Sequence, residues 1–142
     1  ETVRKLGWVP DIIHCHCWMY GFIPLYLRHF FADDPHFENA KLVFRVYDEK
    51  PEALDKDLAK KLALEGFSKD LFKGLAKPTT DDLYKFAVEL SDAVVKGSPK
   101  LGKGLENAIK ASEKPVLAYP AAADLITAHA EFYQSVLEEA LV

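Results

Sequence analysis

The chain of 142 residues has no block of positive charge, no long apolar run and only two cysteines. Its net charge is −4, with acids and bases interspersed, so no surface for a nucleic-acid backbone is expected. The longest uncharged run, residues 12–27, is too short to span a membrane and contains a proline. No signal peptide is recognisable, so we expect a cytoplasmic protein with free thiols.

Nucleotide-binding motifs are also missing, because neither a G-x-G-x-x-G nor a P-loop pattern occurs. The run His14-Cys15-His16-Cys17 has the residue types that zinc prefers. On a strand, however, the two histidines would share one face and the two cysteines the other. The sequence therefore predicts no metal site and no cofactor.

The two cysteines are predicted to be free thiols, with Cys15 buried. Cys17 could serve as a nucleophile only with a base within hydrogen-bond reach, and His16 points away from it in a regular strand. A small residue at a tight turn is the simpler interpretation of Cys17.

Helical and strand patterns alternate along the chain. Short apolar runs without clean alternation predict buried parallel strands. They are Ile12–Cys15, Leu42–Val46, Ala93–Val95 and Val116–Ala118. The order predicts an α/β fold, specifically a three-layer Rossmann-like half-domain in which helices flank a four-stranded parallel sheet.

Six helices are expected beside the strands, one of them the end of a helix that stops at Gly7. Their predicted ranges are Glu1–Leu6, Gly21–Phe31, Glu52–Leu64, Thr80–Leu90, Leu105–Ser112 and Ala122–Leu141. The second is apolar nearly all round and should be largely buried. Thr80 is the expected N-cap of the fourth, and Leu125 should face inward in the last. Residues 66–79 could add one short helix.

The stretch from Pro10 to Gly21 is predicted to be a buried strand that ends in two histidines, a tryptophan and a glycine. In parallel sheets, ligands bind outside the carboxyl ends of the strands, so this turn is the candidate site. Ser98, at the end of another strand, could hold a hydroxyl or a phosphate, or form a plain turn. The other histidines, His29, His36 and His129, are assigned to surfaces and loops.

The segment from Trp8 to Trp18, followed by residues 23–27, resembles the W-x-P-D-h-h-H-x-H-D-W…P-x-Y-L signature of bacterial glycogen and starch synthases. Residues 46–49, 87–98 and 114–119 are similar to short homologues with only the N-terminal domain. The resemblance covers nearly the whole chain. It implies a retaining glucosyltransferase that moves glucose from ADP-glucose to an α-1,4-glucan.

The resemblance also implies roles for particular residues. His16 corresponds to a histidine that lines the sugar-donor cleft, and it is the predicted catalytic residue, since a neutral imidazole can hydrogen-bond a glucose hydroxyl. The predicted substrate-binding residues are His14, Trp18, Gly21, Asp48 and Ser98. Trp18 could stack on a sugar or anchor the turn, and His14 could be a core histidine bonded to the backbone.

The chain departs from the family pattern at two places. Cys17 replaces an aspartate, and the second strand ends in Tyr47-Asp48 instead of His-Asn. The K-x-G-G-L loop and the C-terminal domain, which supplies basic residues for the diphosphate, are not among these residues.

We therefore expect residues 1–142 to be a single domain, the C-terminal part of a glycogen-synthase-like N-terminal domain that lacks upstream residues. Such a chain is not competent alone, and its partner would be a second domain or another copy. The alternative is a catalytically silent relative that binds glucan, nucleotide-sugar or protein.

Overall fold

The computed structural model describes residues 2–50, 52–68 and 78–138. Within them, four strands form one sheet in which every pairing is parallel. The strands are β1 (Ile12–His16), β2 (Lys41–Val46), β3 (Ala93–Lys96) and β4 (Val116–Leu117). They lie side by side in chain order, so β1 and β4 are the two edges. The predicted four-stranded parallel sheet is confirmed.

Six α-helices accompany the strands in the described part of the chain. They are α1 (Thr2–Leu6), α2 (Ile23–Phe30), α3 (Leu58–Leu64), α4 (Thr80–Leu90), α5 (Lys103–Ala111) and α6 (Leu125–Glu138). Single 3₁₀ turns at Trp18–Tyr20 and Ala122–Asp124 precede α2 and α6. The left-handed Gly7, with a φ of 63°, ends α1 as expected.

Helices cover both faces of the sheet and so complete three layers. Cys15, Phe44 and Val94 face one way and form a buried cluster with residues of α4 and α5. Val43 and Val95 face the other way and pack against α6. Because alternate side chains of a strand point to opposite faces, the two neighbours of Cys15 lie on the α6 side.

The helix predicted to begin at Glu52 begins only at Leu58. Ahead of it, Ala53 forms an antiparallel bridge with Thr79, and the Leu54 N–H donates to the Pro78 carbonyl at 2.8 Å. These backbone bonds hold the residues extended, so the four-residue spacing of leucines predicted the helix correctly from Leu58 but not at Leu54.

The N-cap of α4 is Thr79 rather than Thr80. The backbone of Thr79 is extended, its Oγ1 accepts from the Asp82 N–H, and the Asp82 carboxylate accepts from the Thr79 N–H at 3.0 Å. This is a capping box. Thr80 is buried, and its hydroxyl oxygen accepts from the Glu52 N–H at 3.1 Å.

Two predictions of burial are wrong. Only Pro24 and Leu25 are buried in α2, whereas Phe30 is 45% exposed. In α6, Phe132 and Val136 face the sheet, but Leu125 is 39% exposed. Apolar sequence predicts burial only where another element covers the side chain, and neither residue is fully covered in the described chain.

The short helix suggested for residues 66–79 falls mainly on residues 69–77, which lie outside the described residues. The end of the last predicted helix, residues 139–141, lies outside them as well. Phe67 is described and is buried with Leu25 and Leu62 between α2 and α3. No helix in the described ranges is long and apolar enough to cross a lipid bilayer.

Candidate functional site

The candidate site lies where β1 and β2 end at the same rim of the sheet. His16, the last residue of β1, is exposed and pairs in register with Arg45 of β2. The backbone then turns out of the sheet at Cys17, whose N–H donates to the Arg45 carbonyl at 3.2 Å.

Cys17 has a φ of 58° and a ψ of 167°, a region that is adopted almost only by glycine. Strain of this kind costs about 1–3 kcal/mol and is concentrated at functional sites. Here the strained turn leaves the His16 side chain at the open end of its strand.

Five side chains meet on the α6 face of this rim, and we call them the histidine cluster. They are His14, His16, Arg45, His129 and Tyr133. The rings of His14 and His16 are stacked with centroids 4.2 Å apart, and His14 Nδ1 lies 2.5 Å from the Tyr133 hydroxyl oxygen. The predicted alternation is confirmed, because the two histidines share a face that Cys15 does not.

The cluster favours neutral imidazoles. Burial lowers the pKa of His14 to about 4, with further contributions from His16, His129 and Arg45. Burial also lowers the pKa of His16, and the Arg45 guanidinium and His129 add to the effect. A neutral imidazole has one nitrogen that donates and one that accepts, which suits a hydroxyl-bearing ligand.

Stability should depend on pH through His14. In the unfolded chain His14 has its ordinary pKa of 6.5, so as pH falls the unfolded state takes up the proton first. The stability that depends on a neutral His14 is therefore complete above pH 6.5 and declines toward pH 4. Converted in full, this pKa shift corresponds to about 3 kcal/mol of unfolding free energy. Because the His14 ring is partly exposed to solvent, we expect about 1–2 kcal/mol.

The wild type is thus expected to lose about 1–2 kcal/mol more than a His14→Gln variant between pH 6.5 and 4, as measured by urea unfolding at each pH. A His29→Gln variant on α2 should follow the wild type. Parallel curves for the wild type and His14→Gln would contradict this assignment.

The opposite face of the turn is closed by packing. Cys15 is buried as predicted, and burial raises the pKa of its thiol to about 11, which makes it unreactive. Trp18 packs against the buried cluster of α4 and α5. The Tyr84 hydroxyl donates to Glu49 at 2.5 Å, and burial together with this bond raises the pKa of Tyr84.

Gly21 has a packing role that explains the absence of a side chain. It is buried, and a Cβ there would lie 2.6 Å from Leu83 Cγ and 3.0 Å from the Trp18 carbonyl oxygen. The glycine therefore lets α4 approach the turn closely. This contact accounts for Gly21 without a ligand.

Asp48 and Ser98 are brought together by the loops that follow β2 and β3. The Asp48 N–H donates to Ser98 Oγ at 2.9 Å, and the Gly97 N–H donates to the Val46 carbonyl at 2.7 Å. The Ser98 hydroxyl keeps its own hydrogen for another acceptor. These contacts tie the two loops together at the rim.

The structure brings together His14 with His16, and Asp48 with Ser98, whereas Trp18 and Gly21 lie on the packed side of the turn. Sequence reasoning missed Arg45, His129 and Tyr133. The surface assignment of His129 is wrong, because its ring is stacked with that of His14, with the two ring centroids 6.3 Å apart. The spacing of His129 and Tyr133, four residues apart on a helix, was a signal that they share a face.

Metal binding gains no support from this geometry. Within residues 2–50, 52–68 and 78–138, no group of three or more histidine, cysteine or acidic side chains is arranged to hold a metal ion. The charge of Arg45 beside the histidines also opposes a cation.

Comparison with known proteins identifies relatives of the chain. It is 46% identical over 48 residues to glycogen synthase of Chlorobium limicola, which is 34% of this chain and 10% of that protein. It is 30% identical over 122 residues to glycogen synthase of Chlorobaculum parvum, covering 78% of this chain and 24% of that protein. The chain thus spans a quarter or less of the length of these relatives.

A solved structure has the same fold. The catalytic domain of starch synthase IV from Arabidopsis thaliana, bound to ADP and acarbose, superposes with a TM-score of 0.62 at 19% identity. The match covers 87% of this chain and 28% of that one. Residues 1–111 also match the family model of the starch synthase catalytic domain. The chain therefore belongs to the family of glycogen and starch synthase catalytic domains.

Proposed function

We propose that this chain is the C-terminal part of the N-terminal domain of a glycogen synthase that transfers glucose from ADP-glucose to an α-1,4-glucan. The observation that carries the proposal is the family match over residues 1–111, which includes the turn with His16. The starch synthase of the same fold was solved with ADP and acarbose, which fits a nucleotide-sugar and a glucan as ligands.

His16 is the catalytic residue of the proposal. Its imidazole lies at the carboxyl end of a parallel strand, the place where ligands bind in such sheets. It is exposed to solvent at the rim, while partial burial of its ring and the Arg45 charge lower its pKa and so favour the neutral form, which can accept from or donate to a sugar hydroxyl.

The other predicted site residues support His16 in different ways. His14 stacks beneath its ring, Trp18 and Gly21 fix the turn, and Asp48 and Ser98 line the neighbouring loops. None of these residues supplies positive charge for a departing diphosphate. We therefore include a second domain, or a partner, in the proposal as the source of that charge.

A cytoplasmic location and a role in glycogen synthesis belong to the same proposal. Cys15 and Cys17 are both free thiols, as expected in a reducing compartment.

A coupled assay of ADP release from ADP-glucose, with glycogen as acceptor, tests the proposal on the full-length protein. We expect release of ADP that depends on glycogen, together with incorporation of labelled glucose into the polymer. Retention of the protein on glycogen without any ADP release would instead identify a silent glucan-binding relative. Cys17, which stands in place of the family's aspartate, favours that outcome.

A further inference from the structure

A cavity of about 420 Å³ opens beside the histidine cluster, where α6 begins. Its lining combines polar side chains with apolar ones. The polar residues are Arg45, His129 and Tyr133, and the apolar residues are Leu125, Ile126 and Ala130. Mostly apolar cavities with a few convergent polar groups are typical of sites for small organic ligands.

No carboxylate of the described residues forms an ion pair with Arg45. Its guanidinium lies 5.4 Å from the centre of the Tyr47 ring. None of the ion pairs formed by residues 2–50, 52–68 and 78–138 includes it. A half-buried arginine without a carboxylate is costly unless an anion joins it.

Three buried nitrogens of the cluster lack hydrogen-bond partners among the described residues. They are Arg45 Nε, His14 Nε2 and His129 Nε2. An unsatisfied buried polar atom costs about 1–3 kcal/mol, and such atoms are rare in native proteins. All the buried side-chain nitrogens that lack a partner in the described part of the chain thus belong to this cluster, and an anion bound beside Arg45 would reduce that cost.

We propose that Arg45, together with His129, binds the oxyanion of a small organic acid, whose apolar part lies against Leu125, Ile126 and Ala130. Guanidinium groups pair with carboxylate and phosphate oxygens through charge-assisted hydrogen bonds. His129 Nδ1 donates to the Leu125 carbonyl at 2.7 Å, which holds its ring at the cavity beside Arg45.

This site adjoins His16, whose ring stacks on His14, but it takes a different ligand from the donor sugar proposed there. Arg45 belongs to the residues 1–111 that match the family model, whereas His129 and the apolar residues belong to α6, which follows them. The cavity therefore depends on a helix outside the matched family segment.

Titration of the isotope-labelled protein with benzoate, acetate and inorganic phosphate tests the proposal, with the ring signals of His14 and His129 followed by NMR. We expect saturable shifts, with benzoate about tenfold tighter than acetate because its ring reaches the apolar wall. A preference for phosphate over acetate would assign a phosphoryl ligand and the reverse a carboxylate, and either result supports an oxyanion site.

Variants separate the two halves of the site. Arg45→Gln should weaken the binding of all three probes at least tenfold, and Ile126→Ala should weaken the binding of benzoate alone. Ile126 is 84% exposed, so this variant keeps its fold. Arg28→Gln on α2 is the matched control and should bind like the wild type. Absence of saturable shifts with every probe, or wild-type binding by folded Arg45→Gln, would overturn the proposal.

Discussion

Replacement of His16 by alanine in the full-length protein is expected to lower kcat for ADP release by about 100- to 1,000-fold. The reason is geometric: the imidazole lies at the open carboxyl end of β1, where the proposed donor glucose would be held. A hydrogen bond that strengthens as charge develops at the reacting carbon contributes to kcat rather than to KM alone.

The His16→Ala variant should remain folded. His16 is exposed, and substitutions at exposed positions usually change the free energy of unfolding by no more than about 0.5 kcal/mol. A His29→Ala variant on α2 serves as the matched control and should keep the wild-type kcat. A His16→Ala variant with near-wild-type kcat would remove this residue from the proposed mechanism.

Replacement of Phe44 by alanine is expected to give the largest loss of stability, about 3–5 kcal/mol. Phe44 is fully buried in the centre of β2, and its ring meets the Tyr84 ring edge to face at 6.1 Å. Removal of the ring would leave a cavity between the sheet and α4, beneath the strand that carries Arg45.

Urea unfolding measures this effect, with Ile126→Ala as the control. Ile126 is 84% exposed, so its truncation should change the unfolding free energy by about 0.5 kcal/mol or less. Phe44→Leu should fall between the two, because the smaller residue fills part of the space. A loss below 1 kcal/mol for Phe44→Ala would mean that this face of the sheet is not a packed core.

The central strands β2 and β3 could be predicted from sequence because their apolar runs are covered on both faces. The strand β1 was predicted at Ile12–Cys15 and extends one residue further, to His16. The alternation of β1 likewise predicts that His14 and His16 lie on one face. Local pattern was sufficient there, because burial on both sides of a sheet leaves few other conformations.

The rest of the site depends on contacts between distant residues. His14 and Tyr133 are 119 positions apart and meet only because α6 packs across the sheet. Arg45 reads in sequence as a polar interruption of an apolar strand, and its place beside His16 follows from the register of β1 and β2. The predicted start of α3 was wrong for the same reason, because residues 78–80 form backbone hydrogen bonds with residues 52–54.

The most direct test of the proposed function follows the ring signals of His16 by NMR while ADP-glucose is added to the full-length protein. The account predicts a saturable shift of the His16 ring, with the His29 ring unchanged. Saturation of ADP-glucose binding while the His16 signal stays at its free position would contradict the claim that this imidazole faces the donor sugar.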